Sequence, residues 1–137
     1  MKVCGISLQA NEAIFVILEG DEKRFVVEET DFKKVKLENK TRSQEEIKSF
    51  YQAVNNFFKA NSFDKIGIKE RPERGQRAGG AVSLKIEALI QSCDATVVTL
   101  IQPNTLAAFI KKHELSYDDI NAYQKEAKQI AYYLLNN

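Results

Sequence analysis

The first third of the chain alternates short apolar runs with turn residues. Met1–Gln9 and Ala13–Leu18 are apolar at successive positions, a pattern typical of strands that are covered on both faces. A third strand is predicted over Arg24–Glu29, after the turn that begins at Gly20. The short connections favour an antiparallel meander. Lys34–Leu37 alternates charge with apolar residues, which fits either the end of the third strand or a separate edge strand.

The middle of the chain switches to a helical period and back. Ser43 followed by Glu46 is a capping box, which predicts a helix that ends near Asn61. Short apolar runs then predict strands over Lys65–Ile68 and Thr96–Ile101, and an apolar stripe at helical spacing lies between them. Strand, helix and strand together predict one right-handed βαβ unit.

Two more helices are predicted in the last third. Pro103 suits the first position of one helix. Ser116 with Asp118 and Asp119 predicts the start of the other, because acids are favourable at a helix N-terminus. The order β-β-β-α-β-α-β-α predicts an α/β fold in which a mixed five-stranded sheet carries helices on both faces.

Composition narrows the class of protein. A chain of 137 residues with 44% apolar and 28% charged residues is expected to form a single domain over 1–137. The net charge of +1 predicts no global field for nucleic acid, so a basic site must be local. No membrane partner is expected, since no apolar run approaches the ~18 residues of a spanning helix and the N-terminus lacks a signal segment. Cys4 and Cys93 are expected to be buried thiols in a reducing cytoplasm.

The most suggestive stretch for function is a basic, glycine-containing loop after the strand over Lys65–Ile68. Five positive residues face two negative ones between positions 69 and 85, and the loop leads into a helix. Ligands of open α/β sheets usually sit at such strand ends, and a helix N-terminus offers amides to an anion. The sequence therefore predicts either a phosphate-binding site or a plain solvated loop. The phosphate-binding set is Lys69, Arg71, Arg74, Arg77, Gly79, Gly80, Ser83 and Lys85.

The segments Lys2–Ile6, Arg74-Gly75 and Ala78–Glu87 together are similar to a small uncharacterised bacterial family, one of the domains of unknown function. The order of elements resembles the ribonuclease-H-like fold, and within it the RuvC-like resolvase branch. The resemblance covers most of the chain, and it implies a fold rather than an activity.

Nucleases of this fold hold two divalent metals with acids on the first strand, at the end of the strand after the first helix, and on the last helix. The resemblance places Ser7 at the first of these positions and either Lys69 or Glu70 at the second. A neutral hydroxyl bridges two cations poorly, so loss of the metal site is expected. The acids that remain as candidates on the last helix are Asp118, Asp119 and Glu126.

The sequence thus predicts a non-catalytic module without a cofactor that binds DNA, RNA or another phosphate-bearing ligand. The residues expected to line its cleft are Ser7, Gln9, Thr99 and Gln102. Two alternatives stay open. One is a divergent nuclease that uses Glu70, Asp118 and Asp119 with Mg or Mn, and the other is a protein-interaction module, for example a homodimer.

Overall fold

The computed structural model describes residues 1–38, 43–71 and 80–137. Six strands in these residues form one mixed sheet in the order β3-β2-β1-β5-β6, and β4 pairs with β2 outside that path. Strand β1 is antiparallel to β2 and parallel to β5, which is in turn parallel to β6. The strands are β1 (Lys2–Gln9), β2 (Glu12–Gly20), β3 (Phe25–Glu28), β4 (Lys34–Lys36), β5 (Lys65–Lys69) and β6 (Val98–Ile101).

Four α-helices and a short 3₁₀ helix accompany the sheet in the described part of the chain. They are α1 (Gln44–Asn61), α2 (Ala81–Gln91), α3 (Pro103–Lys111), the 3₁₀ helix Ala122–Gln124 and α4 (Lys125–Asn136). The Ser43 hydroxyl accepts the Glu46 amide at 3.3 Å, which confirms the predicted start of α1. None of the described helices has the length and apolar content that crossing a membrane requires.

The mixed sheet confirms the prediction, and its strand count needs one correction. Lys34–Lys36 is a strand of its own, so the sheet has six strands rather than five. Strand β2 is long enough to pair with β3 along one half and with β4 along the other. The Lys33 carbonyl accepts the Phe15 amide at 2.8 Å where the two partners meet.

Two hydrophobic cores lie on opposite faces of the sheet. Cys4, Ile6 and Leu8 of β1 pack with α1 and α2, whereas Val3 packs with α3 and α4. This alternation follows from the two-residue period of a strand. Helices therefore cover both faces, as the sequence predicts.

The start of α4 differs from the prediction. Ser116, Asp118 and Asp119 lie in a non-helical segment, and helical structure begins only after Asn121. Asn121 forms a capping box with Gln124, which satisfies the backbone amides of these two residues. The physical reason is that Lys128 of α4, only 2% exposed, donates to the Ser116 carbonyl at 2.5 Å and to Asp119 Oδ1 at 2.6 Å, and these bonds hold the segment across the helix.

Candidate functional site

Ser7 lies near the carboxyl end of β1 on the face that α4 covers. Its side chain is fully buried, and its hydroxyl has no hydrogen-bond partner among the described residues. The parallel ladder pairs Gly5 with Gly67 and Ile6 with Ile68. One further step in this register brings Ser7 beside Lys69, so both side chains belong to the same corner of the sheet.

Lys69 is the last residue of β5 and forms an ion pair with the first turn of α4. Its Nζ lies 3.1 Å from Glu126 Oε2, and both side chains are 30% exposed. A carboxylate is favourable at a helix N-terminus, and the ammonium group adds a second favourable partner. Because Gly67 also faces α4, the two-residue period points Lys69 toward that helix and Glu70 toward the other face. Of the two candidates at the end of β5, Lys69 and not Glu70 therefore lies on the same face of the sheet as Ser7.

These residues do not fit a two-metal site. The corner presents a neutral hydroxyl, an ammonium group and one carboxylate, whereas two divalent metal ions need oxygen ligands for both ions and are repelled by an ammonium group. Across residues 1–38, 43–71 and 80–137, no three His, Cys, Asp or Glu side chains are grouped so that they could hold a metal ion.

The acids of the nuclease alternative are not brought together. Asp118 and Asp119 border a hollow of about 270 Å³ beside β2 and β3, which also includes Thr30 and Gln124. Glu70 follows β5, two strands away in the sheet, where its amide donates to the Ile101 carbonyl at 2.8 Å.

Arg71 lies two residues beyond Lys69, where the chain leaves the sheet. Its amide donates to Glu87 Oε2 at 2.8 Å, and its Nη1 donates to the Leu8 carbonyl at 3.4 Å. Its Nε is buried and has no partner among the described residues. These bonds hold the guanidinium group against the end of β1 and leave part of its donor capacity unused.

A hollow of about 380 Å³ connects Arg71 with the first turn of α2, and it is lined by Ala10, Asn11, Arg71, Gly80, Ala81, Val82 and Ser83. Gly80 caps the helix without a side-chain hydrogen bond, and its φ of −65° is open to other residue types. Among the described residues, no atom would lie within 4 Å of a Cβ atom at Gly80. The first amides of α2 precede its helical ladder, so they have no partner within the helix.

The remaining residues of the predicted phosphate-binding set are dispersed. Ser83 is 2% exposed, and its hydroxyl donates to the Gly80 carbonyl at 3.0 Å, so an anion would have to compete with this bond. Lys85 lies on a separate groove between α1 and α2, next to Ile47 and Leu89. Arg74, Arg77 and Gly79 lie outside the described residues. Their predicted role stays a prediction.

The predicted cleft residues differ in how close they lie to this end of the sheet. Gln9 ends β1, and Gln102 caps α3 directly after β6; both are exposed. Thr99 pairs with Gly67 and is two residues short of the end of β6, so it lies farther from the corner. The Lys69–Glu126 pair joins residues 57 positions apart, and no local sequence signal identifies it.

The family model described as "Protein of unknown function (DUF3010)" matches residues 1–134. The chain belongs to this family. The *Thermus thermophilus* RuvC structure is similar, with a TM-score of 0.73 and 13% identity over 96% of this chain and 92% of that chain. RuvC of *T. thermophilus* in complex with a Holliday junction substrate has a TM-score of 0.69 and 14% identity over 96% and 90% of the two chains. No curated protein matches the chain.

The similarity confirms the predicted RuvC-like fold of this DUF3010 chain, and at this identity it shows the fold alone. The chemistry of the corner must therefore come from its own residues. Lys69, Arg71 and the first amides of α2 place hydrogen-bond donors at the carboxyl end of the parallel strands. Such an arrangement is suited to binding an anion.

Proposed function

We propose that this DUF3010 chain is a non-catalytic RuvC-like module that binds nucleic acid, or another phosphate-bearing ligand, at the carboxyl ends of β1 and β5. The observation that carries the proposal is the ion pair between Lys69 and Glu126 at 3.1 Å, beside the buried Ser7. A cation from the chain itself lies where metal-dependent cleavage would require a carboxylate. Binding can persist on such a surface after cleavage is lost.

Arg71 supports the phosphate part of the proposal. Arg71 borders a hollow at the start of α2. Arginine can donate two parallel hydrogen bonds to a phosphate, and the amides of a helix start favour the same anion. The location agrees with the rule that ligands of α/β sheets sit beyond the carboxyl ends of the strands.

DNA is the first ligand to test, because the solved RuvC relative is complexed with a Holliday junction substrate. The divergent-nuclease alternative has less support, since its three acids are not grouped. The protein-interaction alternative has no specific observation in its favour and stays a prediction.

The test measures affinity for branched DNA, linear DNA and RNA at about 50 and 200 mM salt. Arg71→Ala removes the guanidinium group and keeps the backbone amide that donates to Glu87. We expect it to weaken binding similarly for all sequences and to reduce the salt slope by about one. Arg24→Ala is the matched control, because Arg24 is exposed and precedes β3 at the opposite end of the sheet. Absence of binding at the lower salt concentration would overturn the proposal.

A second arm tests the absence of catalysis. The same substrates are incubated with Mg²⁺ or Mn²⁺, and no cleavage is expected above that of a Glu126→Gln variant. Metal-dependent cleavage that the Glu126→Gln variant loses would show that the corner is a working nuclease site.

A further inference from the structure

Another hollow lies beside Lys69, between α3 and α4. Its volume is about 260 Å³, and it is lined by Lys69, Pro103, Leu106, Ala107, Ile110, Glu126 and Gln129. All of these residues belong to the described part of the chain. The hollow shares Lys69 with the corner described above and faces away from the start of α2.

The two sides of this hollow differ in chemistry. Pro103, Leu106, Ala107 and Ile110 form an apolar wall along α3. Lys69, Glu126 and Gln129 form a polar edge along β5 and α4. An apolar wall facing a few hydrogen-bonding groups is the usual composition of a small-molecule site.

The polar edge retains hydrogen-bonding capacity. One of the three Lys69 ammonium protons is directed to Glu126 Oε2, which leaves Glu126 Oε1 as an acceptor. Gln129 Nε2 donates to the Tyr117 hydroxyl at 2.9 Å, which leaves its carbonyl oxygen as a second acceptor. A ligand edge that carries a donor next to an acceptor can therefore be bound here.

We propose that the hollow between α3 and α4 binds a nucleobase. A base has flat apolar faces for the α3 wall and a donor–acceptor edge for Lys69 and Glu126. The volume of about 260 Å³ lies slightly below the roughly 300 Å³ at which sites for drug-sized ligands begin, so the ligand is a small one. This inference rests on the proposed function, in which the phosphate binds beside Arg71, and it gives the base a site of its own between α3 and α4.

The base site and the phosphate site are separate hollows. Lys69 borders the base hollow on the side of α3 and α4, and Arg71 borders the hollow at the start of α2, which packs on the other face of the sheet. Each site is therefore tested with its own ligand.

The experiment titrates the full chain with the four nucleosides, their 5′-monophosphates and ribose 5-phosphate, and follows chemical shifts by NMR. Ala107→Leu fills the hollow from an exposed position without altering Lys69 or Arg71. Ala108→Leu is the matched control, since Ala108 is exposed on the same helix and does not line the hollow. Because leucine is a good helix former, neither variant is expected to disturb α3.

We expect nucleosides to shift resonances of Ile110 and Gln129, and Ala107→Leu to weaken that binding by about tenfold or more, with Ala108→Leu unchanged. DNA binding without nucleoside binding would overturn the base site and leave the proposed function in place. Nucleoside binding that Ala107→Leu does not weaken would likewise overturn the base site. Nucleoside binding that Ala107→Leu abolishes, in the absence of any affinity for DNA or ribose 5-phosphate, would support the base site and overturn the phosphate-binding function. If none of these ligands binds, both are wrong.

Discussion

Lys69 decides whether the corner formed by Ser7, Lys69 and Glu126 can bind a metal ion. Its ion pair with Glu126 is 30% exposed on both sides, and pairs of this kind usually contribute at most about 1 kcal/mol to stability. Its main effect is therefore electrostatic. The ammonium group neutralises Glu126, so the pair offers no net negative charge to a divalent cation.

Reversing this chemistry should create a metal site. In the double variant Ser7→Asp and Lys69→Glu, two new carboxylates would join Glu126 at the same corner. We expect the variant to be less stable than the parent chain in EDTA, because a carboxylate at the buried position 7 loses its hydration. Mn²⁺ should then raise its melting temperature, since a bound metal stabilises the folded state by about 2.7 kcal/mol at 100 times its Kd. Thermal scans of the parent chain with Mn²⁺ serve as the control, and the same melting temperature for the variant with and without Mn²⁺ would contradict the expectation.

The two thiols should be unreactive in the folded chain. Burial raises the pKa of Cys4 far above its ordinary value, and burial followed by the neighbouring Asp94 carboxylate raises the pKa of Cys93 to about 11. At pH 8, three units below that value, about one Cys93 side chain in a thousand is a thiolate, which is the reactive form. Labelling with a disulfide reagent at pH 8 should be slow until urea unfolds the chain. Fast labelling of either thiol without denaturant would show that it is more accessible than its burial implies.

The pH dependence that follows has a definite sign. Both thiols have folded-state pKa values above their unfolded values, so the folded state retains these protons to higher pH. Their contribution to stability is complete below about pH 8.5 and is lost as the pH rises toward the folded-state values. Urea midpoints of the parent chain at pH 7.5 and at about pH 10 should therefore differ, with the lower midpoint at the higher pH. In a variant with both Cys4→Ala and Cys93→Ala, the urea midpoint should fall less between these two pH values.

At the scale of elements, local signals predict those elements whose ends are set by neighbouring residues. Ser43 and Glu46 identify the start of α1 because the Ser43 hydroxyl and the Glu46 amide that donates to it are three residues apart. The start of α4 is harder to predict, because Ser116 with Asp118 and Asp119 shows a helix-start pattern that competes with that of Asn121 and Gln124. What decides between them is the buried Lys128, whose bonds to Ser116 and Asp119 depend on how α4 packs on the sheet.

Part of the candidate site can be predicted from local sequence, and part of it depends on tertiary packing. The basic character around Arg71 is visible in the sequence because it is a local excess of charge. The pairing of Lys69 with Glu126, and the hollow between α3 and α4, arise only when the last helix packs across β1 and β5. Tertiary packing of this kind is set by residues far apart along the chain.

The packing of α4 on the sheet predicts a graded response to glycine substitution. A Cβ at Gly5 would lie 2.1 Å from the Ala127 carbonyl oxygen and 2.4 Å from the Ala131 amide nitrogen, both backbone atoms. A Cβ at Gly67 would lie 3.0 Å from Leu134 Cδ1, which can move. Gly5→Ala should therefore cost more than about 3 kcal/mol or prevent folding, and Gly67→Ala about 1 kcal/mol.

Gly80→Ala is the control for this series. No atom of the residues that the structure describes lies within 4 Å of the added Cβ, so its effect should stay within about 1 kcal/mol, the usual scale of an N-cap change. Urea unfolding of the three variants measures the order. A Gly5→Ala variant as stable as the parent chain would show that α4 does not approach β1 so closely.

At the scale of the whole molecule, the two cores share their strands. Cys4 and Ile6 of β1 belong to the core with α1 and α2, and Val3 belongs to the core with α3 and α4. Strand β2 divides its residues in the same way, with Ile17 in the first core and Ile14 in the second. Neither core can be lost without removing the support of the strands that the other requires, and the candidate site is built on the shared end of the strands.

This architecture predicts one cooperative unfolding transition, and the chain carries natural probes for both faces. Cys4 and Cys93 belong to the first core. The chain has no tryptophan, and four of its five tyrosines, Tyr117, Tyr123, Tyr132 and Tyr133, pack against the second core or bond to α4. Thiol labelling therefore reports one face, and tyrosine fluorescence reports chiefly the other.

Because the strands are shared, urea midpoints from the two probes and from far-UV circular dichroism should coincide within error. Tyr51→Phe removes the tyrosine of the first core and should leave the fluorescence midpoint in place. A fluorescence midpoint well below the thiol midpoint would instead show that α3 and α4 detach first, and the corner built by Lys69 and Glu126 would then open before the sheet unfolds.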